Sequence, residues 1–517
     1  MNLLKATGTI GGLTMVSRVL GFARDMIAAR LLGASHANDA FNLAFLLPNI
    51  FRRLFAEGAF SSGFVPLFSR RLASGGMEDA QRFSNEILAV FMPALLLVTA
   101  LFVIFMPSVL LLVVPDYADT PGKLELATEL SRWTFPYLLF ISLVALLSGV
   151  LNSLTRFAVA AFAPALLNVA LILGLLLAPR EELATVRFMA VAVLVGGIAQ
   201  FALCWFAVRR AGVRLSFGRP RMTPAVRELV ILILPATAAA GVYQLSQLFY
   251  AYFSSQLGEG ALTMLSYADR LNQLPLSIIG TALGVAILPA ISQAIAREDE
   301  AQASDVQARA FDLSMLLTLP ATLALMVAAF PIIGALYRGG EYSLEAAQTT
   351  ATILAILVTG LPAYVLVKVL TPAFYARKDV KTPVTIAMTV LALSIPANFV
   401  LIPEIGIYSL ASVTSAGAWI NFALLFGILY ARGHFRMPGW LVSRVVRQLV
   451  AALAMAAALY VLREVLAGWF LGSVVERAIG LAVLVGTGAM VYFGVAFLIG
   501  GVDREAIASL RRRKAST

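Results

Sequence analysis

Apolar stretches long enough to cross a bilayer, about 20 residues each, recur along the whole chain with polar connectors between them. About fourteen can be marked. Six lie in the first part: Gly8–Leu32, Asp39–Phe68, Ile87–Val114, Trp133–Leu151, Phe157–Ala178 and Val186–Val208. A basic connector follows, and six more come after it: Leu229–Leu257, Ala261–Ile295, Phe311–Tyr337, Ala346–Tyr375, Val384–Ile402 and Ile407–Tyr430. The last two are Leu441–Leu462 and Val475–Ile499. The pattern predicts an all-α polytopic membrane protein. Two of the stretches break the apolar rule. Between Met15 and Arg53 they carry Arg18, Arg24, Asp25, Arg30, Asp39, Arg52 and Arg53. A charge in the hydrocarbon core costs at least about 2.5–3.5 kcal/mol, so each should face a watery cavity or a partner. Snorkelling at helix ends accounts for part of Arg30, Arg52 and Arg53, but not for five arginines in two adjacent hydrophobic segments. These two helices are expected to line a polar cavity that binds an anion.

Composition agrees with the membrane reading. The 517 residues are 60% hydrophobic and 13% charged, and the mean hydropathy is +0.88. Soluble domains sit near 45–50% apolar and about 25% charged. No cleavable leader is evident, and the single Cys204 excludes a disulfide framework. The net charge of +11 is concentrated in alternate connectors, a topology signal rather than a nucleic-acid footprint. With a cytoplasmic N-terminus, the inside set holds Arg70, Arg71 and Arg82, then Arg156, then six arginines between Arg209 and Arg227. It continues with Arg297 and Arg309, with Arg377, Lys378 and Lys381, with Arg432, Arg436, Arg444 and Arg447, and with the tail Arg511–Lys514. The outside set holds little beyond Lys123, Arg180, Arg187, Arg338, Arg463 and Arg477. Both termini are expected inside.

The chain also repeats itself. Phe45–Pro48 resembles Asn272–Pro275, Phe64–Pro66 resembles Ile287–Pro289, Phe91–Ala94 resembles Thr318–Ala321, and Phe105–Pro107 resembles Ala329–Pro331. Thr155-Arg156 matches Ala376-Arg377, and all five offsets fall between 221 and 227. A six-helix offset preserves orientation, so the halves are read as parallel repeats about an axis along the membrane normal. The expected organisation is a six-helix lobe over 1–210, a basic cytoplasmic linker over 211–228, a second six-helix lobe over 229–432, and two extra helices with a basic tail over 433–517.

Enzyme signatures are missing. There is no Gly-x-x-x-x-Gly-Lys-Ser/Thr loop, and the only histidines, His36 and His434, lie in connectors. No enzyme activity, cofactor or metal is expected. The cationic set is the candidate chemistry: Arg18, Arg24, Arg52 and Arg53 in the first two helices, with Asp39 beside them, and Asp269 and Arg270 in the eighth. Arginine presents a planar fork that grips phosphate oxygens in pairs, and several converging forks suit a diphosphate. The competing reading is that pairs such as Arg24 with Asp39 merely neutralise each other. Arg53 and Glu57 are spaced for an i,i+4 pair. Lys368 reads equally as a buried cation or a snorkelling one. The patches Gly11-Gly12, Ser61–Gly63 and Gly280–Gly284 read as helix-packing sites.

Four stretches resemble the MurJ (MviN) family of lipid II flippases, within the multidrug/oligosaccharidyl-lipid/polysaccharide exporter superfamily. They are Ser17–Asp25 (SRVLGFARD), Asn38–Phe60, Tyr267–Pro275 (YADRLNQLP) and Leu366–Pro383. The resemblance implies a V-shaped cavity between two six-helix lobes, and two C-terminal helices forming a groove for a lipid tail. It implies that Arg18, Arg24, Asp39, Arg52 and Arg270 handle the diphosphate and sugar of lipid II. It further implies membrane lipids as partners, the cell-wall synthesis machinery as a candidate partner, and the bacterial inner membrane as location. Some members carry a sodium site with acidic residues. Here the seventh helix offers Gln244 and Gln247 but no carboxylate. Two rivals stand beside this reading within the superfamily: another polysaccharide-lipid flippase, and a cation-coupled drug exporter, which would want an acidic cavity. An integral-membrane glycosyltransferase would need catalytic carboxylates and a large external domain.

Overall fold

The structure is a computed structural model and describes residues 3–55 and 59–502. It divides into two compact units, Met1–Thr263 with Gly339–Tyr342, and Met264–Arg338 with Ser343–Thr517. Among the described residues there is no β-strand, only an isolated bridge between Gly339 and Tyr342.

The first unit contains α1 (Leu3–Leu32), α2 (His36–Phe55), α3 (Ala59–Ile104), α4 (Met106–Val113), α5 (Lys123–Thr134), α6 (Tyr137–Ser153), α7 (Phe157–Leu177), α8 (Glu182–Arg210) and α9 (Pro224–Ser255). The second contains most of α10 (Ala261–Pro275), then α11 (Thr281–Ala296), α12 (Glu300–Val327), α13 (Ala329–Leu336), α14 (Leu344–Leu357), α15 (Leu361–Ala376), α16 (Lys381–Ile405) and α17 (Tyr408–Ala431). It ends with α18 (Gly439–Val465), α19 (Ala467–Leu471) and α20 (Val474–Leu498). Ten helical stretches among the described residues are long and apolar enough to span a bilayer. The four expected spans outside that set are α1, α2 with the start of α3, α9, and α10 with α11. Three of those four hold the charged residues singled out above.

The connector expected between the second and third spans is helical apart from one residue, and two later spans are broken where the sequence pattern ran straight. α3 consists of two runs meeting at Gly76, where φ is 70 and ψ −167. The fourth span divides at Phe135-Pro136 into α5 and α6, and the eighth is interrupted by a π turn at Leu276–Gly280. That turn directly follows Pro275, whose ring removes a backbone donor and displaces the preceding carbonyl.

The internal repeat is written in the backbone. A non-helical residue separates α3 from α4 at Phe105 (φ −89, ψ 13), and another separates α12 from α13 at Ala328 (φ −93, ψ 14), 223 residues later. Thr155 (φ 60) and Lys378 (φ 61) take up the left-handed conformation, again 223 apart. At the first turn the Arg156 N–H donates to the Leu151 carbonyl at 2.8 Å, and at the second Asp379 donates to Phe374 at 2.9 Å. Left-handed backbone costs a non-glycine residue roughly 1–2 kcal/mol, so the turn geometry, not residue preference, sets both. The sequence match of Thr155-Arg156 with Ala376-Arg377 therefore moves two residues on, to Lys378-Asp379.

Each unit has its own apolar interior. In the first, the rings of Phe60 and Phe64, Phe60 and Phe91, and Phe64 and Phe83 stack with centroids 5.2–5.4 Å apart. In the second, α18 and α20 pack with α12 around Ala451, Met455, Leu459 and Leu484. Within this second unit, polar contacts fasten α18 and α20 to α12. Asp312 of α12 accepts from Arg444 at 2.9 Å and from Gln448 at 2.8 Å, while the Tyr492 hydroxyl donates to the Leu316 carbonyl. Large apolar side chains such as Leu97, Leu177, Val461 and Leu498 remain exposed. An apolar exterior over so many helices suits lipid rather than water.

Candidate functional site

Arg18 and Arg24 lie six residues apart on α1, about 9 Å along its axis. Arg24 is buried and fixed on two sides. Its Nε and Nη2 donate to Asp25 Oδ1 at 3.0 and 2.6 Å, and its Nη1 donates to Asn168 Oδ1 of α7 at 3.1 Å. Asn168 in turn donates to the Ser17 carbonyl at 3.0 Å, so one amide ties α7 to α1 at two levels. The Arg24–Asp39 pairing considered from sequence is not formed. Arg18 is half-buried on the same helix.

α2 carries a polar stripe that the sequence reading passed over. Asn38, Asn42, Asn49 and Arg52 fall within about 80° of one another at 100° per residue. The Asn42 amide donates to Asn38 Oδ1 at 3.2 Å, and Arg52 Nε donates to Asn49 Oδ1 at 3.0 Å. Arg52 and its half-buried neighbour Arg53 close the last described turn of α2. Glu57, expected to pair with Arg53, lies outside the described residues, as does the basic tail.

Asp39 has a different setting from the arginines. It is only 2% exposed. Its Oδ1 accepts from the Thr263 backbone N–H at 2.9 Å and from the Thr263 hydroxyl at 2.8 Å, and its Oδ2 accepts from the Gly260 N–H at 3.0 Å. The buried Lys123 ammonium stands 3.7 Å from Oδ2 and 4.1 Å from the Tyr117 ring centroid. Burial first, and then the Asp39 charge, push the Tyr117 phenol well above its ordinary range. Asp39 thus holds the first amides of α10, where the helix dipole and the open N–H groups favour a carboxylate. The sequence pointed to its charge but not to these partners. Lys123 read as an ordinary connector lysine, and Thr263 carried no signal.

The corner between α1 and α2 is closed by the same segments. The His36 N–H donates to Glu259 Oε1 at 3.2 Å, and the Glu341 N–H donates to the Arg30 carbonyl at 3.0 Å. Gly260 has φ +74, and a Cβ there would lie 2.4 Å from the Ala34 carbonyl oxygen. Gly260→Ala is expected to lower stability by at least about 1–2 kcal/mol. Gly258→Ala, where a Cβ meets open space, is expected to melt like the parent. Thermal unfolding in detergent compares the two, and equal melting of all three proteins would mean that the corner is not tightly closed.

In the second unit, Asp269 and Arg270 sit on α10. Asp269 accepts from Gln273 one turn on, and Arg270 is exposed. Lys368 of α15 packs beside Gly280, where an added Cβ would come within 2.8 Å of its Cδ. Of the seven expected site residues, Arg18, Arg24, Asp39, Arg52 and Arg53 belong to the first unit, and Asp269 and Arg270 to the second.

A sequence profile described as lipid II flippase MurJ matches residues 28–480. A probable lipid II flippase MurJ of Rhizobium meliloti (strain 1021) is 40% identical over 523 residues, covering 100% of this chain and 97% of that protein. The lipid II flippase MurJ of Burkholderia cenocepacia is 35% identical over 507 residues, covering 97% and 98%. Among solved structures, a lipid II flippase MurJ in an inward closed conformation matches with TM-score 0.78 at 24% identity, over 95% of this chain and 98% of that one. An inward-facing multidrug resistance MATE family transporter of the MOP superfamily matches with TM-score 0.66 at 13% identity, over 82% and 98%. The two structural likenesses concern the fold, while the sequence relatives extend over essentially the entire chain. This chain belongs to the MurJ family of lipid II flippases.

Proposed function

We propose that this protein is a lipid II flippase, moving an undecaprenyl-diphosphate-linked disaccharide-pentapeptide from the cytoplasmic to the periplasmic leaflet of a bacterial inner membrane. The observation that carries the reading is kinship with MurJ proteins across the full chain at 35–40% identity. The chemistry fits it. Arg18, Arg24, Arg52, Arg53 and Arg270 are cations on membrane helices, and a diphosphate is the anion their forks suit. Asp39 and Asp269 belong to the same polar set, Asp39 by positioning α2 against the start of α10. In this reading the six-helix lobes 1–210 and 229–432 alternate access to a shared cavity. The linker 211–228 lies on the cytoplasmic side, and the helices of 433–517 attend the lipid tail. The headgroup exchanges water for arginine while its tail stays in the bilayer. An exporter of organic cations would want the opposite sign of charge.

Expression in cells depleted of their own lipid II flippase should restore growth. Full-length protein in the membrane without rescue would overturn the assignment. Topology is testable separately, on a Cys204→Ser background. A cysteine placed near Arg214 should react with impermeant reagents only from the cytoplasm, and one between Asp116 and Lys123 only from the periplasm. Periplasmic labelling near Arg214 would reverse the orientation and the helix count behind it.

A further inference from the structure

Helices α3 and α9 pack tightly at Gly63, where an added Cβ would lie 2.6 Å from Ile233 Cγ2 and 3.1 Å from Leu229 Cδ1. Next to this crossing is a cleft of about 750 Å³, lined by Leu67 and Arg70 of α3 and by Met222, Arg227, Ile231 and Leu232. Its walls differ in character. Leu67 forms a buried floor, while Ile231 and Leu232 are 61% and 50% exposed on a helix of a membrane protein and so face lipid. At the other end the charge is positive. Arg70 is paired with Glu228 at 3.0 Å, whereas the exposed Arg227 makes no ion pair or hydrogen bond of its side chain among the described residues.

The segment leading into α9 carries further arginines outside the cleft, Arg219 in a separate recess beside Glu78 and Glu86. It is laid along α3 by three contacts. The Arg214 N–H donates to Gln81 Oε1 at 3.0 Å, the Ser216 N–H to Asn85 Oδ1 at 2.9 Å, and the Thr223 hydroxyl to Glu86 Oε2 at 2.6 Å. Exposed Arg219 and Arg221 are thereby held on a fixed strap. Exposed apolar groups alternate with them. Met222 is 67% exposed, and Phe217 stacks on Trp205, which also has the Arg209 guanidinium 5.3 Å from its ring centroid. Arginines interleaved with aromatic and apolar side chains at a helix end are the composition of a membrane interface.

We propose that this cleft binds an anionic glycerophospholipid. Its phosphate lies against Arg227, with the strap arginines close by in sequence, and an acyl chain runs along Leu67, Ile231 and Leu232. A phospholipid fits better than a lipid diphosphate. The cations are spread along a strap and one is already paired, whereas a diphosphate calls for several converging forks. The bound lipid would tie the first turn of α9 and the basic connector to the leaflet, apart from the residues assigned to substrate.

The test uses the purified full chain in phosphatidylcholine nanodiscs with a photoreactive phosphatidylglycerol, and maps the labelled peptides. Label is expected on residues 67–70 and 222–232, with little from the matching phosphatidylcholine probe. Arg227→Gln should weaken the apparent affinity roughly fivefold, the effect of about one interfacial charge. Ile231→Trp, which fills the cleft without touching charge, should also reduce labelling. Both positions are exposed, so folding should survive, and an unchanged melting temperature checks this. Three results would overturn the proposal: equal labelling by the zwitterionic probe, undiminished labelling in both variants, or displacement by undecaprenyl diphosphate in preference to unlabelled phosphatidylglycerol. The last would assign the cleft to the substrate.

Discussion

Lys123→Ala is expected to destabilise the protein by about 3–5 kcal/mol, the cost of stripping a buried carboxylate of its counter-charge. Both side chains of the pair are almost fully buried, Asp39 at 2% and Lys123 at 6% exposed. The three hydrogen bonds from Gly260 and Thr263 remain in the variant. They orient the carboxylate but do not neutralise it. The double variant Asp39→Asn/Lys123→Met removes both charges and keeps similar volumes, so it should recover most of the loss. Thermal unfolding of the parent, the single variant and the double variant decides the matter. If Lys123→Ala melts like the parent, the ammonium does not hold Asp39. If the double variant is worse than the single, the pair is not the source of the effect.

Arg18→Lys is expected to impair function nearly as much as Arg18→Ala. Both retain the backbone of α1, and lysine retains the charge. Only arginine can offer two parallel N–H donors to one phosphate. Loss of such charge-assisted contacts is worth about 1.5–3 kcal/mol, roughly tenfold to a hundredfold in the rate of a step that depends on them. Growth of a depletion strain carrying each variant, with membrane protein levels matched, reads the effect. Full growth with lysine would show that charge alone suffices at this position. Arg24 should behave differently. Its guanidinium is anchored by Asp25 and Asn168, so Asn168→Leu is expected to mimic part of the Arg24→Ala defect without removing any charge. Normal growth of Asn168→Leu would detach Arg24 positioning from function.

The helical architecture was legible in the sequence because a bilayer imposes one length on every span, and prolines marked the duplication. What was not legible depends on partners far away in the chain. Lys123 looked like one more connector lysine, yet it is the counter-ion of a carboxylate 84 residues earlier. Asn168 is a lone amide in an apolar helix and acquires meaning only from Ser17 and Arg24. The stripe of Asn38, Asn42, Asn49 and Arg52 was visible in principle from helical periodicity. The charged residues beside it on the same helix mask that periodicity. The break at Phe105 was hidden inside a continuous hydrophobic run, where hydropathy does not register a change in backbone direction. The register of the repeat was likewise off by two residues at one turn, because the conserved feature there is the left-handed backbone of Thr155 and Lys378, not a shared side chain.

Leaflet-resolved accessibility measures directly whether this chain carries lipid II across the membrane. Cells depleted of their own flippase and expressing this protein are treated with an agent that cleaves only lipid II exposed in the periplasmic leaflet. Wild-type protein should restore cleavage to the level of undepleted cells, and an Arg18→Ala/Arg270→Ala variant present at equal levels should leave lipid II protected. Lipid II that stays inaccessible with the wild-type protein in the membrane would rule out flipping by this chain, and lipid II that becomes equally accessible with the double variant would rule out the arginines as its substrate site.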